Sequence, residues 1–512
     1  MLRPDLRAAW VARHRAAYET AVGVLMRLHA REPAAGYDAR AFEVSERFRA
    51  RALLDVLAAS GYAPGLPPEL AQRLRAVQER INVLADPEAD GLETSRVLQA
   101  RALDAALEER REIEADVRAA DPRYAALIQP KAATLAEIQA ELVDDDTVLL
   151  EYLLGETRSF GWLVSRSALH AFALPPRATI ETAARRLRAS WWQPEPEAGE
   201  AAEARALSTL LLGPVAEALR GKRLAIVSDG ALQYLPFAAL PEPLAAGPAV
   251  PLLESREVVG LPSASVLATL RRETATRTAP SRLLAVFADP VFDAGDPRLA
   301  KSTKAALGGK TSAVASAPRF LRLAATQREA QTLVALDGKK RSHAALGLEA
   351  SREAALDPEL ADYRFVHFAT HGWLDAQRPE LSAVVLSTVA SDGRERDGFL
   401  RLHEISALKL NADLVVLSAC DTGLGREVEG EGLVGLVRAF MQAGAPRVVA
   451  SLWKVPELAT TEVMSGFYRG MLRDGSSPAA ALRRAQLAVR SEPRWRRPRH
   501  WAGFVLQGEW RR

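Results

Sequence analysis

The chain has 512 residues, of which 48% are hydrophobic and 26% charged, the composition of a folded protein with ample core for about two to four domains. Its formal net charge of +3 is too small for a nucleic-acid-binding surface, so we expect no nucleic-acid partner. The single cysteine excludes an intrachain disulfide framework. Without an apolar span of about 20 residues or a signal-like start, we also expect a cytoplasmic protein with no membrane contact.

Residues 1–143 are predicted to form a series of consecutive helices. Apolar residues recur on one helical face within 37–59, 70–84 and 97–117, and proline-rich breaks separate these segments. The antiparallel helices resemble the last units of a TPR-type solenoid, but no clean repeat of about 34 residues is visible. A plain helical bundle is the alternative. Either could bind a regulatory protein or a substrate, or simply cap the rest of the chain.

Residues 144–275 are predicted to form a first α/β unit. A hairpin is expected from strands 147–154 and 160–164, because Gly155-Glu-Thr is a turn signal between them. Helices 178–190 and 203–220 and a buried strand at 223–228 follow. Ser228-Asp-Gly is predicted to be a turn rather than a nucleophile site, since no Gly-x-Ser-x-Gly motif surrounds it.

Residues 276–512 are predicted to form a second α/β unit. Its expected strands are 283–288, 363–370, 382–387, 413–420 and 446–452, and its expected helices are 322–336, 401–409 and 433–443. The segments 293–320 and 421–432 have loop composition. The first is either a solvated loop or a processing or gating segment, and the second is a mobile loop suited to substrate gating.

Two residues at predicted strand ends point to chemistry. His371 ends one strand, and Cys420, the only cysteine, ends another 49 positions later (420 − 371). The carboxyl ends of parallel strands share one edge, so we expect the two side chains to meet at the rim of a single sheet. A cysteine with a histidine about 50 residues upstream is the arrangement of a caspase-like nucleophile and base.

The same phrases predict how an oxyanion would be held. The backbone N–H groups of Gly372 and Cys420 are candidate donors to a tetrahedral intermediate. Taken alone, Cys420 would more often be a core residue and His371 a turn residue. It is their joint spacing that favours a catalytic dyad.

These and further phrases resemble the CHAT domain, a relative of the caspases and separases. They are His-Phe-Ala-Thr-His-Gly (367–372), Leu-Ser-Ala-Cys-Asp-Thr-Gly (417–423), and the segments 227–237, 288–292, 429–440, 443–453 and 501–506. The resemblance spans about residues 145–508 and implies a caspase-like parallel or mixed sheet flanked by helices. It also implies a cysteine endopeptidase with His371 and Cys420 as the dyad. Within it, 144–275 resembles a pseudo-protease half and 276–512 the catalytic half, while TPR-type helices are the usual neighbour of such a domain.

Substrate-binding residues are predicted from positions near the strand ends. Asp289, Asp421 and Glu457 could face the crevice and favour a substrate Arg or Lys, and Trp453 could form an apolar wall. The family often has Asp where Glu457 stands. The structural alternatives are that Asp421 caps the following turn, that Glu457 is solvated and that Trp453 lies in the core.

No metal or organic cofactor is expected. His367 and His371 lie four apart on a predicted strand rather than on a helix, so they do not match a zinc motif. His367 is predicted to pack inside the strand, and His343 and His403 to have surface or packing roles.

The sequence therefore predicts a cytoplasmic cysteine endopeptidase that cleaves a protein substrate and is regulated by a partner or signal. The alternative is a catalytically silent CHAT scaffold that binds a protein through its N-terminal helices. A small-molecule thiol hydrolase is a third hypothesis.

Overall fold

The computed structural model describes residues 4–59, 68–84, 101–110, 112–113, 116, 133–244, 247–275, 277–299, 320–337, 341–375, 381–418, 420–421 and 432–511. Within these ranges the predicted architecture is confirmed: an N-terminal helical region precedes a large mixed sheet flanked by helices. The predicted loops 293–320 and 421–432 lie largely outside the described residues.

The N-terminal region is helical where it is described. Its helices are α1 (Pro4–Arg31), α2 (Tyr37–Ala59), α3 (Pro68–Leu84) and α4 (101–110). The helix predicted over 97–117 is therefore observed at 101–110, and its two ends fall mainly outside the described residues. In the part of the chain that the structure covers, no helix is both long and apolar enough to cross a membrane.

Buried polar side chains attach α2 to the α/β part of the chain. The Glu46 carboxylate accepts hydrogen bonds from the backbone N–H of Ala264 and from the N–H and hydroxyl of Ser265. Arg49 forms an ion pair with Glu151, whose carboxyl group is fully buried. Burial and the negative charge of Glu46 raise the pKa of Glu151 well above its ordinary value, despite the charge of Arg49. Because a buried polar group is costly unless it is paired, these contacts hold α2 in a defined position.

The first α/β unit begins with a short helix and a three-stranded antiparallel meander. Its elements are α5 (Leu135–Glu141), β1 (Thr147–Leu153), β2 (Ser159–Val164), β3 (Leu169–Leu174), α6 (Arg177–Trp192), α7 (Glu200–Leu212), β4 (Arg223–Val227), α8 (Leu252–Ser255), β5 (Val258–Leu261) and α9 (Ala264–Thr274). The predicted hairpin is confirmed, since β1 and β2 pair in antiparallel register. The predicted turn after β4 is also confirmed, because a 3₁₀ turn begins at Gly230 with a positive φ of 55°.

The second unit alternates strands and helices. Its elements are β6 (Arg282–Ala288), α10 (Ala324–Ala335), β7 (His343–Leu346), α11 (Arg352–Ala355), β8 (Tyr363–Ala369), β9 (His371–Trp373), β10 (Ala383–Val385), β11 (Phe399–Arg401), α12 (Leu402–Ala407), β12 (Leu414–Leu417), β13 (Cys420–Asp421), α13 (Gly432–Gln442), β14 (Arg447–Ser451), α14 (Glu457–Leu472), α15 (Pro478–Ser491) and β15 (Phe504–Gly508). Strand β12 is buried at every position, as expected for an apolar run with both sheet faces covered.

One eleven-stranded sheet joins the two units. Its order is β3-β2-β1-β4-β5-β15-β14-β12-β8-β6-β7. The last strand of the chain, β15, lies between β5 of the first unit and β14 of the second. The central strands β6, β8, β12 and β14 are mutually parallel, so their carboxyl ends share one edge.

A second, four-stranded sheet lies beyond that edge, in the order β11-β10-β9-β13. The strands predicted over 363–370 and 413–420 are shorter in the large sheet than expected, so His371 and Cys420 lie just beyond its edge and are paired in the small sheet instead. The large-sheet strands end earlier, at Ala369 and Leu417, and the chain re-enters pairing as β9 and β13. Thr370 lies at one break, between β8 and β9, and its hydroxyl donates to the carbonyl oxygen of Val385 in β10.

Candidate active site

The backbones of His371 and Cys420 are directly opposite each other. In the small sheet β13 runs parallel to β9, with Cys420 paired to His371 and Asp421 to Gly372. In the large sheet β12 runs parallel to β8, and Val415 pairs with Val366. The offset is 49 residues in both sheets (415 − 366 and 420 − 371), so the register of the large sheet carries through the break.

The imidazole of His371 is buried, and one of its two nitrogens is hydrogen-bonded to the backbone. His371 is 3% exposed, and its ring contacts the rings of Phe292 and Phe320, with centroid separations of 5.2 and 5.4 Å. Its Nε2 lies 2.7 Å from the carbonyl oxygen of Leu321. Because a carbonyl oxygen only accepts hydrogen bonds, the neutral ring carries its proton on Nε2.

This arrangement leaves the other ring nitrogen as the basic atom. Nδ1 of His371 is buried and, among the described residues, has no hydrogen-bond partner. Burial lowers the pKa of His371 below its ordinary value, the positive charge of Lys454 lowers it further, and the hydrogen bond to Leu321 opposes this shift. At neutral pH the ring is therefore a neutral base with its lone pair on Nδ1.

Gly372, the predicted oxyanion donor, lies in the middle of the small sheet. In β9 it faces Val384 of β10 on one side and Asp421 of β13 on the other. It also lines a cavity at the carboxyl edge of the large sheet. The structure thus brings Gly372, His371 and the backbone of Cys420 together at one edge.

Asp289 does not line this cavity. It follows β6 with a positive φ of 47°, and its side chain is only 1% exposed. Its carboxylate forms ion pairs of 2.9 Å with Arg298 and 2.8 Å with Arg322. Arg322 directly follows Leu321, so Asp289 anchors the segment whose carbonyl holds His371. The carboxylate of Asp289 is thus paired with two arginines beside the segment that contacts His371.

The other predicted pocket residues are placed differently from one another. Trp453 is 4% exposed and donates from Nε1 to the carbonyl oxygen of Arg499 at 3.2 Å, so it packs in the core. Glu457 is exposed at the first residue of α14. Asp421 is placed by its backbone in β13, opposite Gly372.

The cavity beside Gly372 is lined by residues that the sequence had not indicated as part of a site. Arg188 of α6 and Tyr234 of the turn after β4 reach it from the first unit, and Ser451 and Leu452 reach it from β14. Tyr234 lies in one of the quoted sequence phrases, whereas Arg188 is one of several arginines on its helix and had no distinguishing signal. Leu321 acts through its backbone, which no side-chain pattern reveals.

The remaining histidines differ in burial. His367 is fully buried, as predicted, with Nδ1 3.1 Å from the hydroxyl of Tyr468 and Nε2 3.0 Å from Oε1 of Glu329. His403 is also buried, and burial together with nearby arginines lowers its pKa well below the ordinary value. His343 is exposed. Over the described residues, no group of three or more His, Cys, Asp or Glu side chains has the arrangement of a metal site.

Comparison with known proteins agrees with the sequence motifs. A family model described as "CHAT domain" matches residues 201–509, more than half of the chain. Tetratricopeptide repeat protein 28 of Mus musculus is 28% identical over 352 residues, which cover 59% of this chain and 13% of the relative. The chain therefore spans about 13% of the length of this curated relative.

Two solved structures are also similar. The Saccharomyces cerevisiae separase–securin complex contains a chain with a TM-score of 0.40 and 10% identity, covering 92% of this chain and 41% of that one. The Arg specific cysteine proteinase gingipain R has a TM-score of 0.35 and 9% identity, covering 60% of this chain and 67% of the other. The family predicted from the motifs is confirmed by the family model. On the family match, this chain belongs to the CHAT domain family.

Proposed function

We propose that this chain is a cysteine endopeptidase in which Cys420 is the nucleophile and His371 the general base. One observation carries the proposal: the strand register sets Cys420 opposite His371. A second supports it, since the hydrogen bond to Leu321 leaves the lone pair of His371 on Nδ1. A base oriented by a third group, next to a strand-end cysteine, is the usual layout of an activated thiol.

The proposed reaction has two stages. Nδ1 of His371 takes the thiol proton of Cys420, and the thiolate attacks a peptide carbonyl carbon. In this proposal the backbone N–H groups of Gly372 and Cys420 donate hydrogen bonds to the oxyanion. His371 then returns the proton to the leaving amine as the C–N bond breaks, and water hydrolyses the resulting thioester. This acyl transfer requires no metal or organic cofactor.

The test uses the fact that Cys420 is the only cysteine in the chain. Any thiol label therefore reports on Cys420 alone. A peptide electrophile is expected to modify the wild type, and His371→Gln to slow that modification about 10²- to 10⁴-fold. Cys420→Ala is expected to abolish peptide cleavage without unfolding the protein. Equal labelling rates in wild type and His371→Gln, or cleavage by Cys420→Ala, would reject the dyad.

A regulatory role for the N-terminal helices is part of the proposal. Arg15 of α1 forms a 2.6 Å ion pair with Asp229, at the carboxyl end of β4. Burial raises the pKa of Asp229, but the charges of Arg15 and Arg49 outweigh this and hold it below the ordinary value. A protein bound to α1 or α2 would therefore act on a charged contact next to the turn Gly230–Tyr234, whose last residue lines the cavity. We place this activity in the cytoplasm, where a lone thiol stays reduced.

A silent scaffold is the competing function. The curated relative is named for its tetratricopeptide repeats, which is compatible with partner binding. If a partner binds wild type and Cys420→Ala equally and no peptide bond is cut in its presence, the scaffold becomes the better description.

A further inference from the structure

The cavity beside Gly372 has apolar walls and one cationic side chain. Its walls include leucine and valine residues that follow β9 or belong to β10, β12 and α13: Leu374, Val384, Leu417, Leu433 and Leu436. The guanidinium of Arg188 enters from α6 in the first unit, and the ring of Tyr234 lies 5.7 Å from it. A pocket of this kind distinguishes ligands through its few polar groups, because the apolar walls accept most side chains.

Arg188 differs from its neighbours on the same helix. Arg185 lies 2.9 Å from Glu181, and Arg186 lies 2.7 Å from Glu203. Arg188 instead donates from Nη2 to the carbonyl oxygen of Leu452 at 3.0 Å. Among the described residues no carboxylate lies within ion-pair distance of it, and its buried Nε has no hydrogen-bond partner. A buried N–H without an acceptor is unfavourable, so a carboxylate ligand would relieve it.

The position of this cation relates it to the proposed chemistry. Gly372, assigned to the oxyanion, lines the same cavity. A substrate whose carbonyl oxygen approaches Gly372 therefore presents an adjacent side chain to Arg188. The void itself is only about 20 Å³, the room of one water molecule, so a substrate side chain must displace some of the leucines that line it.

Two of the three predicted carboxylates, Asp289 and Glu457, do not reverse the charge of this cavity, and the side chain of Asp421 lies outside the described part of the structure. Asp289 is paired with Arg298 and Arg322 and lies outside the cavity lining. Glu457 is solvent-exposed on α14. Among the cavity-lining residues that the structure describes, the one charged side chain is therefore the cation Arg188.

We propose that Arg188 is a specificity-determining residue that selects an acidic side chain, Asp or Glu, on the amino-terminal side of the scissile bond. The proposal rests on the endopeptidase function above. A guanidinium binds a carboxylate with charge-assisted, often paired hydrogen bonds, whereas it leaves an uncharged amide of the same shape less well bound.

The experiment uses peptide electrophiles that alkylate Cys420 and differ only in the residue before the reactive group: Asp, Glu, Asn, Gln or Arg. We expect the better acidic probe to react about 10- to 100-fold faster than its amide counterpart. Arg188→Gln should remove this preference while the rates of the amide probes stay near wild type. Arg188→Glu should move the preference to the Arg probe. Arg185→Gln, which alters a paired arginine on the same helix, should leave the pattern unchanged.

Other outcomes overturn the proposal. If Arg188→Gln slows every probe equally, Arg188 serves only to hold Leu452. If the wild type prefers the Arg probe or shows no preference, the selected charge is wrong while the peptidase function stands. If no probe modifies Cys420 in the folded wild type, although urea-unfolded protein is alkylated, the peptidase function itself fails and the specificity falls with it.

Discussion

Nε2 of His367 lies 3.0 Å from Oε1 of Glu329, and both side chains are buried. Four residues later, His371 contacts aromatic rings and a backbone carbonyl, and no carboxylate is among its described contacts. His367 therefore lies within ion-pair distance of a buried carboxylate and is hydrogen-bonded to Tyr468, whereas Nδ1 of His371 has no described partner of either kind. The two residues provide a matched pair for separating stability from catalysis.

The same substitution should lower catalysis at His371 and stability at His367. His371→Gln is expected to lower kcat about 10²- to 10⁴-fold, because the base is lost, with little change in the free energy of unfolding. His367→Gln is expected to lower the free energy of unfolding by about 1–3 kcal/mol, because the buried Glu329 loses its partner. Urea unfolding and kcat measured on the folded fraction provide the two readouts. A folded but inactive His367→Gln would show that our division of roles is wrong.

The pH dependence of activity should respond to Lys454. Burial and the Lys454 charge disfavour the imidazolium form of His371 and lower its pKa. Lys454→Gln removes the cation, so the pKa rises and less neutral base is present at acidic pH. The acidic limb of kcat/KM should therefore move to higher pH, with the plateau unchanged. The control Lys454→Arg keeps the charge and should keep the wild-type profile. A limb that stays fixed or moves to lower pH would contradict the assignment.

Asp289 should affect catalysis through the segment that holds His371. Asp289→Asn keeps a residue type that tolerates positive φ but weakens the pairing with Arg298 and Arg322. We expect a loss of about 1–2 kcal/mol in the free energy of unfolding, modest because both arginines are partly exposed. We also expect kcat to fall about 10-fold as Leu321 loses its position.

Asp296 provides the control for this prediction. It pairs with Arg298 at 2.7 Å and has no ion pair with Arg322. Asp296→Asn should therefore lower stability slightly and leave kcat near wild type. If KM for a basic substrate rises in Asp289→Asn while kcat is unchanged, Asp289 contacts the substrate as the sequence had suggested.

Local chemistry determined much of this protein. Apolar runs such as 414–417, separated by turn residues, predicted where the buried strands lie along the chain. Buried parallel strands require such continuous apolar sequence. The spacing of His371 and Cys420 and the phrases around them were sufficient to identify the CHAT domain family. The helical character of the N-terminal region also followed from its periodicity alone.

Long-range contacts decided the rest. Only the tertiary structure shows that β9 and β13 belong to a second sheet and that Asp289 is paired with two arginines. It also shows that the backbone carbonyl of Leu321 contacts the imidazole of His371. Arg188 reaches the cavity from a helix 184 residues before Gly372 in the chain (372 − 188). The charge of a pocket is the sum of side chains that folding brings together, and neither propensity nor periodicity carries information about such distant neighbours.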